Sequence, residues 1–170
     1  ASYASDFIVM VLCNPMALFP ALAASFKMES SIGVFYAIMP MGAMLMILTS
    51  RWTLTCTRYG IFIILAGALW SLSLTVVGLS PTFEWILFGL FCAGFFDAVS
   101  GVFRTTLWNE TIPESIRGRI AGFEMVGYMS GPLLGNALLG FLADQIGIQT
   151  ALLIGSLVSV FLVILFNLWI

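Results

Sequence analysis

Six long apolar stretches, separated by short polar segments, make up nearly the whole chain. Cuts at the charged, Pro, Gly and Asn interruptions predict helices over Asp6–Phe26, Ile32–Ser50, Gly60–Gly78, Thr82–Trp108, Ile116–Ile146 and Ile148–Ile170. A helix needs about 20 mostly apolar residues to cross a bilayer, and the stretches are of that order. The connections leave no room for a soluble domain. We therefore expect residues 1–170 to form a single bundle of six transmembrane helices, an all-α membrane protein.

The fourth and fifth stretches are longer than the hydrocarbon layer requires. Such helices must tilt, kink or project from the bilayer. Glycine and proline are the residues at which long helices bend, so we expect bends at Gly101, Gly127 and Pro132.

Composition supports the membrane prediction and excludes several classes of function. Apolar residues make up 61% of the chain and charged residues only 8%, where a soluble domain has about 25% charged residues. A net charge of −2 gives no reason to expect a nucleic-acid partner. Cys13, Cys56 and Cys92 are isolated from one another and the chain has no histidine, so we predict neither a metal site nor a cofactor. The expected partners are membrane lipid and a small-molecule substrate.

An intramembrane enzyme is the alternative that the size of the chain raises. Six spans in 170 residues also suit a rhomboid-type protease, but that chemistry needs a general base beside its serine, usually histidine. An aspartyl or metal-dependent enzyme would need paired Asp motifs or a histidine-containing ligand set. Neither is in the sequence, so we expect no catalytic residue.

The basic residues predict the orientation of the chain in the membrane. Lys and Arg accumulate in short cytoplasmic loops. Five of the six basic residues lie in or beside two connections that must be on the same side: Arg51, Arg58, Arg104, Arg117 and Arg119. Only Lys27 falls on the other side. We therefore predict that both ends of the chain are cytoplasmic.

Polar residues inside the apolar stretches are candidates for handling a substrate or a proton, because an ionisable group in hydrocarbon is costly. Asp97 and Arg104 lie seven residues apart, on one face of the fourth span, and Glu124 lies about two turns into the fifth. A salt-bridged latch between neighbouring helices would explain these charges equally well. Asn14 and Asn136 are interior amides that can bond between helices.

A spaced glycine pattern in the fifth span is the most specific motif. It runs Gly118, eight residues, Gly127, three residues, Gly131-Pro132, two residues and Gly135. Glycines four residues apart let a neighbouring helix approach closely, and proline bends the helix there. The pattern resembles the antiporter motif of the major facilitator superfamily, with Asn136 in place of its last glycine. In that superfamily the motif is best known from the fifth helix, whereas here it falls on the equivalent of the eleventh.

Other segments resemble the second half of the same superfamily. Pro113–Arg119, with Pro113, Glu114, Arg117 and Arg119, looks like the P-E-x-x-R-G-R connection between its tenth and eleventh helices. Phe19–Ala23 and Gly33–Ala43 are similar to the seventh and eighth helices of the enterobactin exporter family of enteric bacteria. The loop signature typical of an amino-terminal half is missing from Arg51–Gly60.

The resemblance implies helices seven to twelve of a major facilitator efflux protein in the bacterial inner membrane. It implies export of a catecholate siderophore such as enterobactin by alternating access. A hydrophobic drug such as a macrolide is the alternative substrate, and a non-transporting membrane scaffold or assembly factor is the alternative of another class. The sequence begins at Ala1 without an initiator methionine. We therefore expect a segment of a longer chain or half of a split protein, with the other six-helix half as its partner.

Overall fold

The computed structural model describes the backbone of residues 2–168 and the side-chain surroundings of residues 7–28, 30–122 and 124–165. Within residues 2–168 the chain is mostly helical, with short connections between the helices, and has no strand. Its α-helices are α1 Ser2–Cys13, α2 Phe19–Ser25, α3 Ile32–Leu48, α4 Tyr59–Leu79, α5 Phe83–Thr111, α6 Glu114–Ile146 and α7 Ile148–Leu168. Short 3-10 turns occupy Met16–Leu18, Glu29–Ser31 and Ser50–Thr55. The expected end of the last helix at Ile170 lies outside the described residues.

Among the described residues, five segments are long and apolar enough to cross a membrane. They are Phe7–Ser25, Tyr59–Leu79, Phe83–Thr111, Glu114–Ile146 and Ile148–Leu165. The remaining apolar helix, α3, is 17 residues long, somewhat short of the roughly 20 residues of an untilted span. The first of these segments begins within α1, includes the 3-10 turn Met16–Leu18 and ends with α2.

The first segment differs from the continuous helix that the sequence analysis expected over Asp6–Phe26. The α-helix stops at Cys13, and the chain resumes as a 3-10 turn and then as α2. Pro15 explains the interruption, since proline has no N–H to donate and its ring crowds the preceding turn. The expected bends at Gly101, Gly127 and Pro132 do not interrupt α5 and α6, which run through these residues as α-helix.

The core of the bundle is built around α4, which packs against α5, α7 and α1. The helix α3 packs against α5, and α6 packs against α1 and α7. One apolar cluster includes Leu74, Leu90 and Leu152 from three different helices, and a second includes Met46 and Phe103. These contacts place α3 and α6 at the outside of the bundle.

Two glycines that the sequence analysis did not select bring α3 and α5 into backbone contact. A Cβ atom at Gly42 would collide with the carbonyl oxygen of Phe91, and one at Gly94 would collide with that of Met39. Small residues are used in this way in membranes because van der Waals contact replaces the hydrophobic effect as the force between helices. The backbones of α3 and α5 therefore approach each other closely, as was expected for the glycine motif of α6.

Buried hydroxyl groups join α4 to α7. Ser71 Oγ and Ser159 Oγ are 2.8 Å apart, and Thr75 Oγ1 donates to Ser156 Oγ at 2.9 Å. All four residues are buried. Such interhelical hydrogen bonds add to packing in a membrane protein, at about 0.6 kcal/mol each on average.

The outer helices α3 and α6 each bury only a narrow stripe. On α6 the buried residues are Gly131, Gly135 and Leu139, four residues apart. Large apolar side chains elsewhere on α6 are exposed, including Val126 at 67% and Leu133 at 70%. The two helices thus keep wide apolar faces that nothing in the described part of the chain covers.

Candidate functional site

A small recess, open on one side, lies between α1, α4 and α5. The residues that line it are Val9 and Met10 of α1, Ala66, Gly67 and Trp70 of α4, and Phe96, Asp97 and Ser100 of α5. A Cβ atom built at Gly67 would meet nothing within 4 Å. The absence of a side chain at this position therefore leaves part of the recess open.

Two polar side chains of α5 lie on the wall of this recess. Asp97 is exposed in the bundle, whereas Ser100 is only 4% exposed. Within the described residues, the hydroxyl oxygen of Ser100 has no hydrogen-bond partner. Membrane-helix serines and threonines often donate to the carbonyl four residues earlier, as Ser73 and Thr106 do here. The Ser100 hydroxyl makes no such bond and is therefore free to bond to a guest in the recess.

Of the three charged candidates, the structure places only Asp97 at the recess. Arg104, half-buried and two turns further along α5, is close enough to act electrostatically on the Asp97 carboxylate. Glu124 is exposed on α6 and is not among the residues that line the recess. The helices α5 and α6 do not pack extensively against each other. The structure thus brings Arg104 within electrostatic range of Asp97 and leaves Glu124 outside this site.

The two amide candidates, Asn14 and Asn136, support the break in the first segment. Asn14 Oδ1 accepts a hydrogen bond from the backbone N–H of Met16 at 3.2 Å. Asn136 Oδ1, from α6, accepts one from the backbone N–H of Ala17 at 3.0 Å. A break in a membrane helix frees N–H groups that must find other acceptors. Both amides therefore have a structural partner at the start of the 3-10 turn.

The glycine motif is only partly a contact surface. A Cβ atom at Gly135 would collide with the carbonyl oxygen of Met10, and one at Gly131 would lie 3.3 Å from Met10 Cβ and 3.4 Å from the Phe7 ring. At Gly127 and Gly118 it would meet nothing within 4 Å. The seam predicted over three glycines therefore involves two of them in this bundle, with α1 as the partner helix.

The connection between α5 and α6 is fixed by Arg117. Its guanidinium donates to the carbonyl oxygens of Asn109 at 3.3 Å and Ile112 at 3.2 Å, where α5 ends. Pro113 precedes the first turn of α6, which carries Glu114. An arginine that bonds the last carbonyls of a helix satisfies groups that have no partner inside it.

The other loop residues gather at the same end of the bundle. The Tyr59 hydroxyl donates to Glu110 Oε1 at 3.0 Å, and the ring of Phe103 lies 5.8 Å from that of Trp52 and 4.8 Å from that of Phe62. These contacts join the connection between α3 and α4 to the carboxyl-terminal end of α5. The exposed Arg51, Arg58 and Arg119 thus belong to one end of the molecule together with Arg117.

We expect Asn136→Ala to lower stability because it leaves the Ala17 N–H without its acceptor. The loss should be roughly 1–2 kcal/mol, the upper range for hydrogen bonds between membrane helices. Thermal unfolding of the purified protein in detergent measures it. Gln145→Ala is the matched control, since Gln145 is an exposed amide of the same helix. Equal melting temperatures for the two variants would show that the bond to Ala17 adds nothing.

The bundle of membrane-length apolar helices defines a multi-pass membrane protein. The chain belongs to the Major Facilitator Superfamily, which it matches over residues 1–170. This membership confirms the resemblance found in the sequence and the all-α fold of half a major facilitator protein. The members of this family to which the chain is similar are transporters.

Enterobactin exporters are among the known proteins that the chain is similar to. The chain is 35% identical to the Enterobactin exporter EntS of Escherichia coli O1:K1 over 127 residues, which are 72% of this chain and 30% of that protein. It is 35% identical to EntS of Shigella flexneri over 129 residues, 74% of this chain and 31% of that protein. The chain therefore spans less than a third of the length of these relatives. No solved structure gives a significant match.

Proposed function

We propose that this chain is the carboxy-terminal half, helices seven to twelve, of an efflux transporter that exports an enterobactin-like siderophore across the bacterial inner membrane. The observation that carries the proposal is the 35% identity to the Enterobactin exporter EntS over 127 residues. The recess with Asp97 between α1, α4 and α5 supports it, because ionisable groups inside a membrane mark substrate or ion pathways.

The partner in this proposal is another six-helix half, whether in the same longer chain or in a separate one. Major facilitator transporters work by rocking one bundle against the other around a site near the midplane. The exposed apolar faces of α3 and α6 and the open recess are the surfaces that a second bundle would cover. Alternating access then opens the recess to one side of the membrane at a time.

We propose a topology in which both ends of the chain and the arginine-rich end of the bundle are cytoplasmic. Cysteines introduced at Arg51 and Glu110 should react with a membrane-impermeant maleimide in inverted vesicles and not in spheroplasts. A cysteine at Lys27 should show the opposite pattern, because Lys27 lies in the turn after α2. Labelling of Arg51→Cys from the outside would reverse the assigned orientation.

The function is tested in an enterobactin-producing strain from which the native exporter has been deleted. We expect expression of the natural full-length protein that contains this chain to restore catecholate siderophore to the medium under iron limitation, measured by mass spectrometry. A parallel assay of erythromycin accumulation tests the macrolide alternative. Lower erythromycin accumulation without siderophore in the medium would favour drug efflux, and no effect in either assay would favour a non-transporting scaffold.

A further inference from the structure

We infer that the 3-10 turn Ser50–Thr55, together with the start of α4, is a binding site for one anionic phospholipid. Arg51 and Arg58 bind the headgroup phosphate, and Leu54 enters the acyl layer. The site is independent of the exported molecule, because it lies on the connection between α3 and α4 and shares no residue with the recess.

Leu54 is an apolar side chain that the bundle leaves almost uncovered. Its exposed fraction is 86%, the highest among the large apolar side chains of the described residues. It lies in a connection rich in polar residues and not on one of the long helices. Contact of apolar surface with water is unfavourable. Lipid tails would cover Leu54 just beyond the last turn of α3, where Ile47 and Leu48 are exposed as well.

The length of α3 places the turn at the membrane surface. The helix has 17 residues, which is about 26 Å at about 1.5 Å per residue, whereas the hydrocarbon layer is about 30 Å thick. The residues that follow Leu48 therefore begin at the edge of the hydrocarbon. Trp52 agrees with this depth, because tryptophan is enriched at the boundary between membrane and water.

Two arginines give the surface beside Leu54 a positive charge. Residues i and i+3 are eclipsed in a 3-10 helix, so Arg51 and Leu54 lie on the same face of the turn. Arg58, which precedes the first turn of α4, is exposed like Arg51. Within the described part of the chain neither guanidinium takes part in an ion pair. The Glu110 carboxylate, at the same end of the bundle, accepts its hydrogen bond from Tyr59.

This combination favours a lipid over the other half of the transporter as the cover for Leu54. A protein surface would have to bury both arginines beside carboxylates, and such pairs repay their desolvation only in excellent geometry. A phospholipid offers a phosphate directly above its acyl chains, and the guanidinium group matches phosphate with two parallel hydrogen bonds. The phosphate also stays hydrated on its outer side.

The turn has a fixed shape before a lipid arrives. The centroids of the Trp52 and Phe103 rings are 5.8 Å apart, which attaches the turn to α5. Thr53 Oγ1 donates to the carbonyl oxygen of Ser50 at 2.7 Å, and Thr55 Oγ1 donates to that of Trp52 at 2.8 Å. Preorganisation of this kind lowers the entropic cost of binding.

Lipid titration of the natural full-length protein that contains this chain tests the inference. Native mass spectrometry measures the affinity for the tightest phosphatidylglycerol, with phosphatidylcholine of the same acyl chains as the zwitterionic comparison. The variant combines Arg51→Gln with Arg58→Gln. The matched control combines Lys27→Gln with Arg119→Gln, which removes the same charge from two exposed residues outside the turn.

We expect the unmodified protein to prefer phosphatidylglycerol and the Arg51→Gln, Arg58→Gln variant to lose affinity for it by about 25-fold, about fivefold for each basic residue at an anionic membrane surface. The control should bind like the unmodified protein. An equal loss in both variants would show a general charge effect, and equal binding of the two lipids would show no headgroup site. Displacement of the lipid by inorganic phosphate would show a simple anion site. Each of these results overturns the inference.

A nitroxide label at Leu54→Cys tests the apolar part of the site in phosphatidylglycerol nanodiscs. The background is free of native cysteines, and Thr57→Cys, also exposed in this connection, is the control. The label at position 54 should collide with oxygen more than with an aqueous nickel chelate, and the label at position 57 should show the reverse. Contact with the nickel chelate at position 54 would show a turn in water, and contact with neither reagent would show cover by the other half. Either outcome contradicts the lipid site, and neither depends on siderophore export.

Discussion

A single methyl group added at Gly135 should destabilise the protein, whereas the same group added at Gly127 should not. Both glycines belong to the same motif on α6, but the Cβ atom at Gly135 would collide with the carbonyl oxygen of Met10 and that at Gly127 would meet nothing within 4 Å. Overpacking of this kind costs about 1–3 kcal/mol. At Gly127 alanine should be neutral or stabilising, because alanine favours a helix over glycine by about 1 kcal/mol.

Leucine at the same positions makes the contrast larger. We expect Gly135→Leu to yield little monodisperse protein on size-exclusion chromatography in detergent and Gly127→Leu to elute like the unmodified protein. The amount of monodisperse Gly131→Leu protein should lie between these two, because a side chain at position 131 meets the Phe7 ring, which can move further than a backbone carbonyl can. Membrane insertion should be unaffected in all three, since leucine inserts at least as readily as glycine. Equal elution profiles for Gly135→Leu and Gly127→Leu would exclude a tight contact between α1 and α6.

Replacement of Asp97 with asparagine should reduce siderophore export by the full-length transporter by about tenfold or more. The change removes one acceptor oxygen and the negative charge from the recess, and hydrogen bonds to charged groups contribute about 1.5–3 kcal/mol. It also removes the negative charge that lies within electrostatic range of Arg104. The measurement is catecholate in the medium, normalised to the amount of folded transporter in the membrane.

Asp144→Asn is the control for this experiment. Asp144 is an exposed carboxylate near the carboxyl-terminal end of α6 and does not line the recess. Its variant should export at the normal rate. If Asp97→Asn also exports at the normal rate, Asp97 is not part of the transport site. Glu124→Gln should export normally, because Glu124 is exposed and does not line the recess.

The sequence alone determined the class of protein and much of the helical layout. Apolar length and the positions of interrupting residues are local properties, so the predicted starts at Ile32 and Ile148 coincide with those of α3 and α7. The spacing of the glycines is also a local property, and it identified Gly131 and Gly135 as contact residues. The superfamily resemblance rested on such local motifs and is confirmed by the match over the whole chain.

Which face of each helix is packed was decided only by the tertiary structure. Lipid is as apolar as the bundle core, so hydrophobic periodicity does not distinguish a packed face from a lipid-facing one. The contacts at Gly42 and Gly94, the open space at Gly127 and the hydroxyl pairs between α4 and α7 therefore carried no readable signal. Pro15, in contrast, is a signal that the sequence itself contains, because proline is a known cause of a helix break.

The bond from Ala17 to Asn136 joins residues 119 positions apart, and the buried Ser100 hydroxyl faces a recess built from three helices. Both depend on how distant segments pack, and no local stretch of sequence encodes that arrangement by itself.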